Sequence, residues 1–104
     1  MVTVYITTGM IETGIQHRRN TGSAYPTPMA EALEAAEFPD VYVFGETFSY
    51  TPHFPTFAEP RHVLFPDSVR AWLRAWYRGE PVDAIEFSLP DPIGLDRYYG
   101  RRFN

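Results

Sequence analysis

Asp67-Ser68-Val69-Arg70-Ala71-Trp72-Leu73-Arg74-Ala75-Trp76-Tyr77-Arg78-Gly79 is the stretch that decides the fold class. Val69, Trp72, Leu73, Trp76 and Tyr77 recur at i, i+3, i+4, i+7 and i+8, a spacing that gathers apolar side chains on one stripe of a helix. Asp67 or Ser68 suits the start, Arg78 the negative end of the helix dipole, and Gly79 the left-handed position just beyond it. A stripe with two tryptophans must be covered, and the flanking sequence supplies strands to cover it. Downstream, Pro81 releases the chain into residues 82–89, where Ile85, Phe87 and Leu89 alternate with Glu86 and Ser88. At the other end, Val2, Val4 and Ile6 alternate with Thr3, Tyr5 and Thr7 in a β-branched run.

The middle of the chain is read outward from these anchors. Thr8-Gly9 interrupts the first strand, and Met10-Ile11-Glu12-Thr13-Gly14-Ile15-Gln16 fits either a short helical turn or a second strand, its glycines favouring a bend or bulge. Residues 21–28 lack periodicity and hold two prolines, which marks a loop. Four alanines and three glutamates give residues 29–38 high helix propensity, with Thr27 or Pro28 in the N-terminal turn. Val41-Tyr42-Val43-Phe44 reads as a strand that turns or bulges at Gly45 before Glu46-Thr47-Phe48-Ser49-Tyr50, so a hairpin is expected. Residues 51–66 carry Pro52, Pro55, Pro60 and Pro66 among His53, Phe54, Phe57 and Phe65, the pattern of an ordered loop pinned by its phenylalanines.

These elements predict an α+β domain over residues 1–94, with a mostly antiparallel sheet of three to five strands and two helices, the longer Trp-rich helix packed on one face. The expected core sets Trp72, Leu73 and Trp76 against Val4, Ile6, Val43, Ile85 and Phe87. Residues 95–104 form a separate arginine- and aromatic-rich tail.

Composition removes whole classes of function. The 104 residues include no cysteine, thirteen acids, nine arginines and no lysine, for a formal charge of −4. Thiolate nucleophiles, iron–sulfur clusters and disulfide scaffolds are excluded, and Schiff-base chemistry has no amine to use. No apolar run approaches the roughly 18 residues of a membrane span, and the N-terminus lacks a basic region followed by an apolar stretch, so no membrane partner and a cytoplasmic location are expected. The acidic balance disfavours direct attraction to nucleic acid. An aromatic content of 16% argues for a packed chain over a disordered one.

Catalytic signatures are sparse. His17, His53 and His62 are the only histidines, and His53-x5-Glu59-x2-His62 lacks the helical spacing that fixes zinc ligands, so no metal and no cofactor are expected. The loop histidines and nearby acids define an alternative reading as a small enzyme. Gly-x-Ser-x-Gly, Ser-x-x-Lys and phosphate-cradling glycine patterns do not occur.

Charge, by contrast, comes in blocks. Residues 31–59 hold Glu31, Glu34, Glu37, Asp40, Glu46 and Glu59 with no arginine, whereas residues 61–78 hold Arg61, Arg70, Arg74 and Arg78 against Asp67 alone. Glu31, Glu34 and Glu37 recur every three residues and Arg70, Arg74 and Arg78 every four, so each set marks one helix face. The rows either neutralise each other across the fold or act separately, the acidic row imitating a line of phosphates for a basic partner. In the tail, Arg97, Tyr98, Tyr99, Arg101, Arg102 and Phe103 combine guanidinium groups with rings, suited to interface contacts or to stacking on bases. A nucleic-acid-binding accessory module using that tail is a second alternative.

Val4-Tyr5-Ile6-Thr7-Thr8 followed by Thr13-Gly14-Ile15 resembles the opening of short proteins encoded by bacteriophages and prophages, in which a Tyr-Ile-Thr strand leads to a Gly-Ile turn. The resemblance covers residues 4–15. It implies a small accessory protein of a mobile element, acting in the cytoplasm of the host bacterium and similar in kind to anti-CRISPR inhibitors of defence complexes; these share no motif from which functional residues carry over. The expectation is a non-catalytic inhibitor that occludes a basic surface on a larger protein or ribonucleoprotein complex. Its contact residues are Glu31, Glu34, Glu37, Arg97, Tyr98, Tyr99, Arg101 and Arg102.

Overall fold

A computed structural model describes residues 1–53 and 59–90. Along the chain run β1 (Val2–Ile6), α1 (Thr8–Thr21), α2 (Pro28–Ala35), β2 (Tyr42–Phe44), β3 (Thr47–Tyr50), β4 (Arg61–Leu64), α3 (Asp67–Tyr77) and β5 (Ile85–Leu89). The class is α+β with antiparallel pairing, as the alternating and helical periods predict. The strands form two sheets rather than one: β1 pairs with β5, and β2, β3 and β4 lie side by side in that order.

The β-branched alternation of β1 places Val4 and Ile6 in the core opposite Phe87 and Ile85 of β5. Three helices replace the expected two, and the additional α1 is the longest at 14 residues against 11 for α3. The Thr7 hydroxyl accepts the Met10 N–H at 3.2 Å and caps the start of α1, and Gly22, at φ 73°, closes its end. Gly14 does not bend this helix. Its bare Cα lets α1 approach the others, since a Cβ there would stand 2.8 Å from Pro28 Cγ and 2.9 Å from Trp76 Cη2. The Gly-Ile pair expected at a turn therefore lies inside a helix.

In α3, Val69, Trp72, Leu73 and Trp76 are buried, as the stripe predicts. The helix starts after Pro66 with no side-chain cap, so neither Asp67 nor Ser68 plays that part. Gly79 ends it at φ 75°, with its own N–H bonded to the Trp76 carbonyl and the Glu80 N–H to that of Ala75. The two tryptophan rings stack at 5.9 Å with planes 6° apart. Their indole N–H groups reach out of the apolar cluster to the carbonyls of Asp83 and Ala24, at 2.8 and 3.0 Å. Each fully buried large side chain here contributes about 1.5–3 kcal/mol by leaving water.

The β2–β3 hairpin turns at Gly45 (φ 55°) and Glu46. It buries Val43, Phe48 and Tyr50, with Phe38 packed edge-on against Phe48 and Tyr50. Strand β4 occupies part of the expected proline-rich loop. Pro60 and Pro66 bracket four residues that pair with β3 from Thr47↔Leu64 to Tyr50↔Arg61. Among the described residues no helix is long and apolar enough to cross a membrane.

Candidate protein-interaction surface

Thr27 starts α2 by accepting the Ala30 N–H, and Pro28 supplies a pre-set first helical residue. The buried side of α2 carries Met29, Ala32 and Leu33, which leaves Glu31 and Glu34 exposed one turn apart. Glu37 departs from the expected row. The helix stops at Ala35, and Glu37 takes φ 71° so that Phe38 can turn back into the core. The Phe38 N–H then bonds to the Leu33 carbonyl at 3.1 Å and the Glu37 N–H to that of Glu34 at 2.9 Å, the pattern of a Schellman cap. Glu31 and Glu34 border a groove between α1 and α2, whereas Glu37 borders a separate depression against β1 beside Val2, Thr3 and Tyr5.

The groove also takes in Met10, Thr13, Gly14 and His17 from α1 and Pro26, Pro28 and Ala30 from the α2 side. His17 Nε2 donates to the Tyr25 carbonyl at 3.2 Å, fixing the imidazole at the groove's edge. Residues 21–28 approach α1 here, which is why a histidine outside every candidate motif belongs to this surface. An i, i+3/i+4 reading of Met10, Thr13, Gly14 and His17 is the signal that could have found the α1 wall.

The arginine row is spent inside the molecule. Arg70 pairs with Asp67 on its own helix, Arg74 with Glu46 in the hairpin turn, and Arg78 approaches Glu80 at 3.9 Å. The turn receives further support from the Tyr77 hydroxyl, which donates to the Gly45 carbonyl at 2.8 Å. The Tyr25 and Tyr77 rings meet at 5.6 Å. Burial first, then the neighbouring Tyr25 hydroxyl and the Glu46 carboxylate, push the Tyr77 hydroxyl pKa well above its ordinary 10.0. Among the described residues, Glu31, Glu34 and Glu37 form no ion pair with Arg70, Arg74 or Arg78.

A second surface emerges from the register of the three-stranded sheet. Tyr42, Ser49 and His62 align across it, as do Phe44, Thr47 and Leu64, all on the side away from the core. Tyr42, Phe44 and Leu64 are 62%, 64% and 59% exposed, and the two rings stack at 6.4 Å. The strand positions of Tyr42 and Phe44 are legible in the sequence, whereas Leu64 falls in the stretch read as a proline-rich loop. Which face they occupied required the pairing of β4, which the prolines obscured.

His53, Glu59 and His62 are exposed, and among the described residues no three His, Asp or Glu side chains gather as metal ligands would. Arg97, Tyr98, Tyr99, Arg101 and Arg102 lie outside the described residues. No protein-family model matches the chain, and no curated protein or solved structure matches it.

Proposed function

We propose that the chain is a non-catalytic protein-binding domain that acts by occupying a basic surface on a larger complex. The observation that carries this reading is the asymmetry of charge use: Arg70 and Arg74 are held by carboxylates of their own fold, while Glu31 and Glu34 stand exposed beside an open groove. Uncompensated charge of one sign steers association with the opposite sign and penalises wrong partners. The apolar sheet face of Tyr42, Phe44 and Leu64 adds the kind of exposed aromatic surface that supplies contact energy at interfaces. Inhibition of a bacterial defence complex, in a host cytoplasm, is the form of this activity that the N-terminal resemblance suggests.

The test is affinity capture from bacterial lysate with the parent chain and with the Glu31→Arg/Glu34→Arg variant at one fixed salt concentration, followed by titration of the captured protein. The expected result is a partner retained by the parent and lost by the variant. Equal retention by both overturns the acidic-face reading.

A further inference from the structure

The groove between α1 and α2 is selective in chemistry as well as sign. Its cavity of about 230 Å³ falls below the roughly 300–1,000 Å³ of small-molecule pockets, a size that favours one long side chain over a cofactor. Met10, Pro28 and Ala30 offer apolar surface for a methylene stem, while Glu31 and Glu34 border the same space with two carboxylates one helical turn apart. Neither carboxylate has an ion-pair partner among the described residues. His17 is committed through Nε2 to the Tyr25 carbonyl.

We propose that this groove receives an arginine side chain from an exposed segment of a partner protein, with the guanidinium shared between Glu31 and Glu34. The proposal rests on the protein-binding reading above and names the chemistry of its contact. A guanidinium presents a planar fork of donors that serves two carboxylates at once, whereas an ammonium is a compact, strongly hydrated point charge.

The test is an amide-resolved NMR titration of the full chain with a doubly blocked Gly-Arg-Gly tripeptide, alongside the same tripeptide carrying citrulline or lysine. Citrulline keeps the shape and removes the charge. The arginine peptide is expected to shift the amides of Thr13, Gly14, His17, Glu31 and Glu34 saturably, with citrulline weaker by about ten-fold or more. Glu31→Gln/Glu34→Gln removes the charge, and Thr13→Phe fills the space while sparing both carboxylates. Each should weaken binding by about ten-fold, and all three positions are exposed enough for the fold to survive. Equal binding of citrulline, equal binding of lysine, binding that survives Thr13→Phe, or shifts scattered over the surface would each overturn the inference. Lysate capture that depends on both glutamates, together with a groove that ignores the arginine peptide, overturns this inference alone. A groove that takes the peptide, together with capture indifferent to both glutamates, overturns the proposed function and leaves the inference standing.

Discussion

The Arg18 guanidinium carbon lies 3.9 Å from the centre of the Trp76 ring, and Arg18 Nη1 donates to the Trp76 carbonyl at 2.6 Å. One side chain thus ties α1 to the C-terminal end of α3 through a ring and through the backbone. Arg18→Ala is expected to cost about 1–3 kcal/mol, combining a cation–π contact with a charged hydrogen bond. Arg18→Lys should recover only part of this, because an ammonium cannot lie flat on the indole while bonding the carbonyl. Urea denaturation of the three chains checks the order.

Gly14→Ala should destabilise although alanine is the better helix former. The gain in helix propensity is about 1 kcal/mol, and the new methyl meets two rigid rings, Pro28 and Trp76, inside 3 Å. Overpacking of this kind costs about 1–3 kcal/mol, so a lower urea midpoint is expected.

Glu37→Gly should do the opposite. Glutamate at φ 71° pays a left-handed backbone cost of about 1–2 kcal/mol that glycine avoids. The Schellman bonds of Phe38 and Glu37 involve backbone only and persist in the variant. A rise in thermal midpoint with an unchanged circular dichroism spectrum is the expected outcome.

Tyr77 makes stability depend on alkaline pH. Its folded pKa is raised above the unfolded 10.0, so the folded state holds the proton more tightly. The stabilisation this brings is complete below the unfolded pKa and is lost as pH rises above it towards the folded one. The urea midpoint should begin to fall at about pH 10 and go on falling as the pH rises further, with a shallower fall for Tyr77→Phe. That variant starts lower by about 1 kcal/mol, having lost the bond to the Gly45 carbonyl.

Charge reversal should separate binding from folding. Changing Glu31, Glu34 and Glu37 together to arginine replaces attraction by repulsion at a contact where like charges cost several kcal/mol, so affinity for the captured partner should fall by orders of magnitude. Stability should move by no more than about 1 kcal/mol per exposed charge. Glu37→Arg alone should matter least, since Glu37 borders a different depression. His53→Ala and His62→Ala should leave affinity within about a few-fold of the parent, a small change typical of surface positions. Isothermal titration at fixed salt resolves the series.

The elements legible in the sequence are those whose periodicity is built from large apolar side chains. The stripe of α3 and the alternation of β1 and β5 announce themselves because Trp72, Trp76, Val4, Ile6 and Leu89 have nowhere to go but the core. Helix α1 reads equally as a short helical turn or a strand because its packing face is Ile11, Gly14, Ile15 and Arg18, in which a glycine stands for close approach and an arginine for a ring contact. Neither counts as apolar in a pattern. Strand β4 was hidden for a different reason: prolines mark where pairing stops, and four of the five residues between Pro60 and Pro66 still suffice for a ladder. Of the candidate surface, Glu31 and Glu34 were readable from helix spacing. The displacement of Glu37 was not, because it follows from Phe38 being pulled into a cluster with Phe48 and Tyr50 that forms only in three dimensions.

The stacked pair Trp72 and Trp76 also gives the chain a built-in optical gauge. These are its only two tryptophans, they lie in one helix, and Trp76 carries the Arg18 cation on its face. Indole emission therefore originates from α3, where Trp76 meets α1 at Gly14 and Arg18, and Gly14 also lines the glutamate groove. A fluorescence trace will record when that contact opens, and a separate label on β2 will report a partner arriving at the outer face of the β2–β4 sheet.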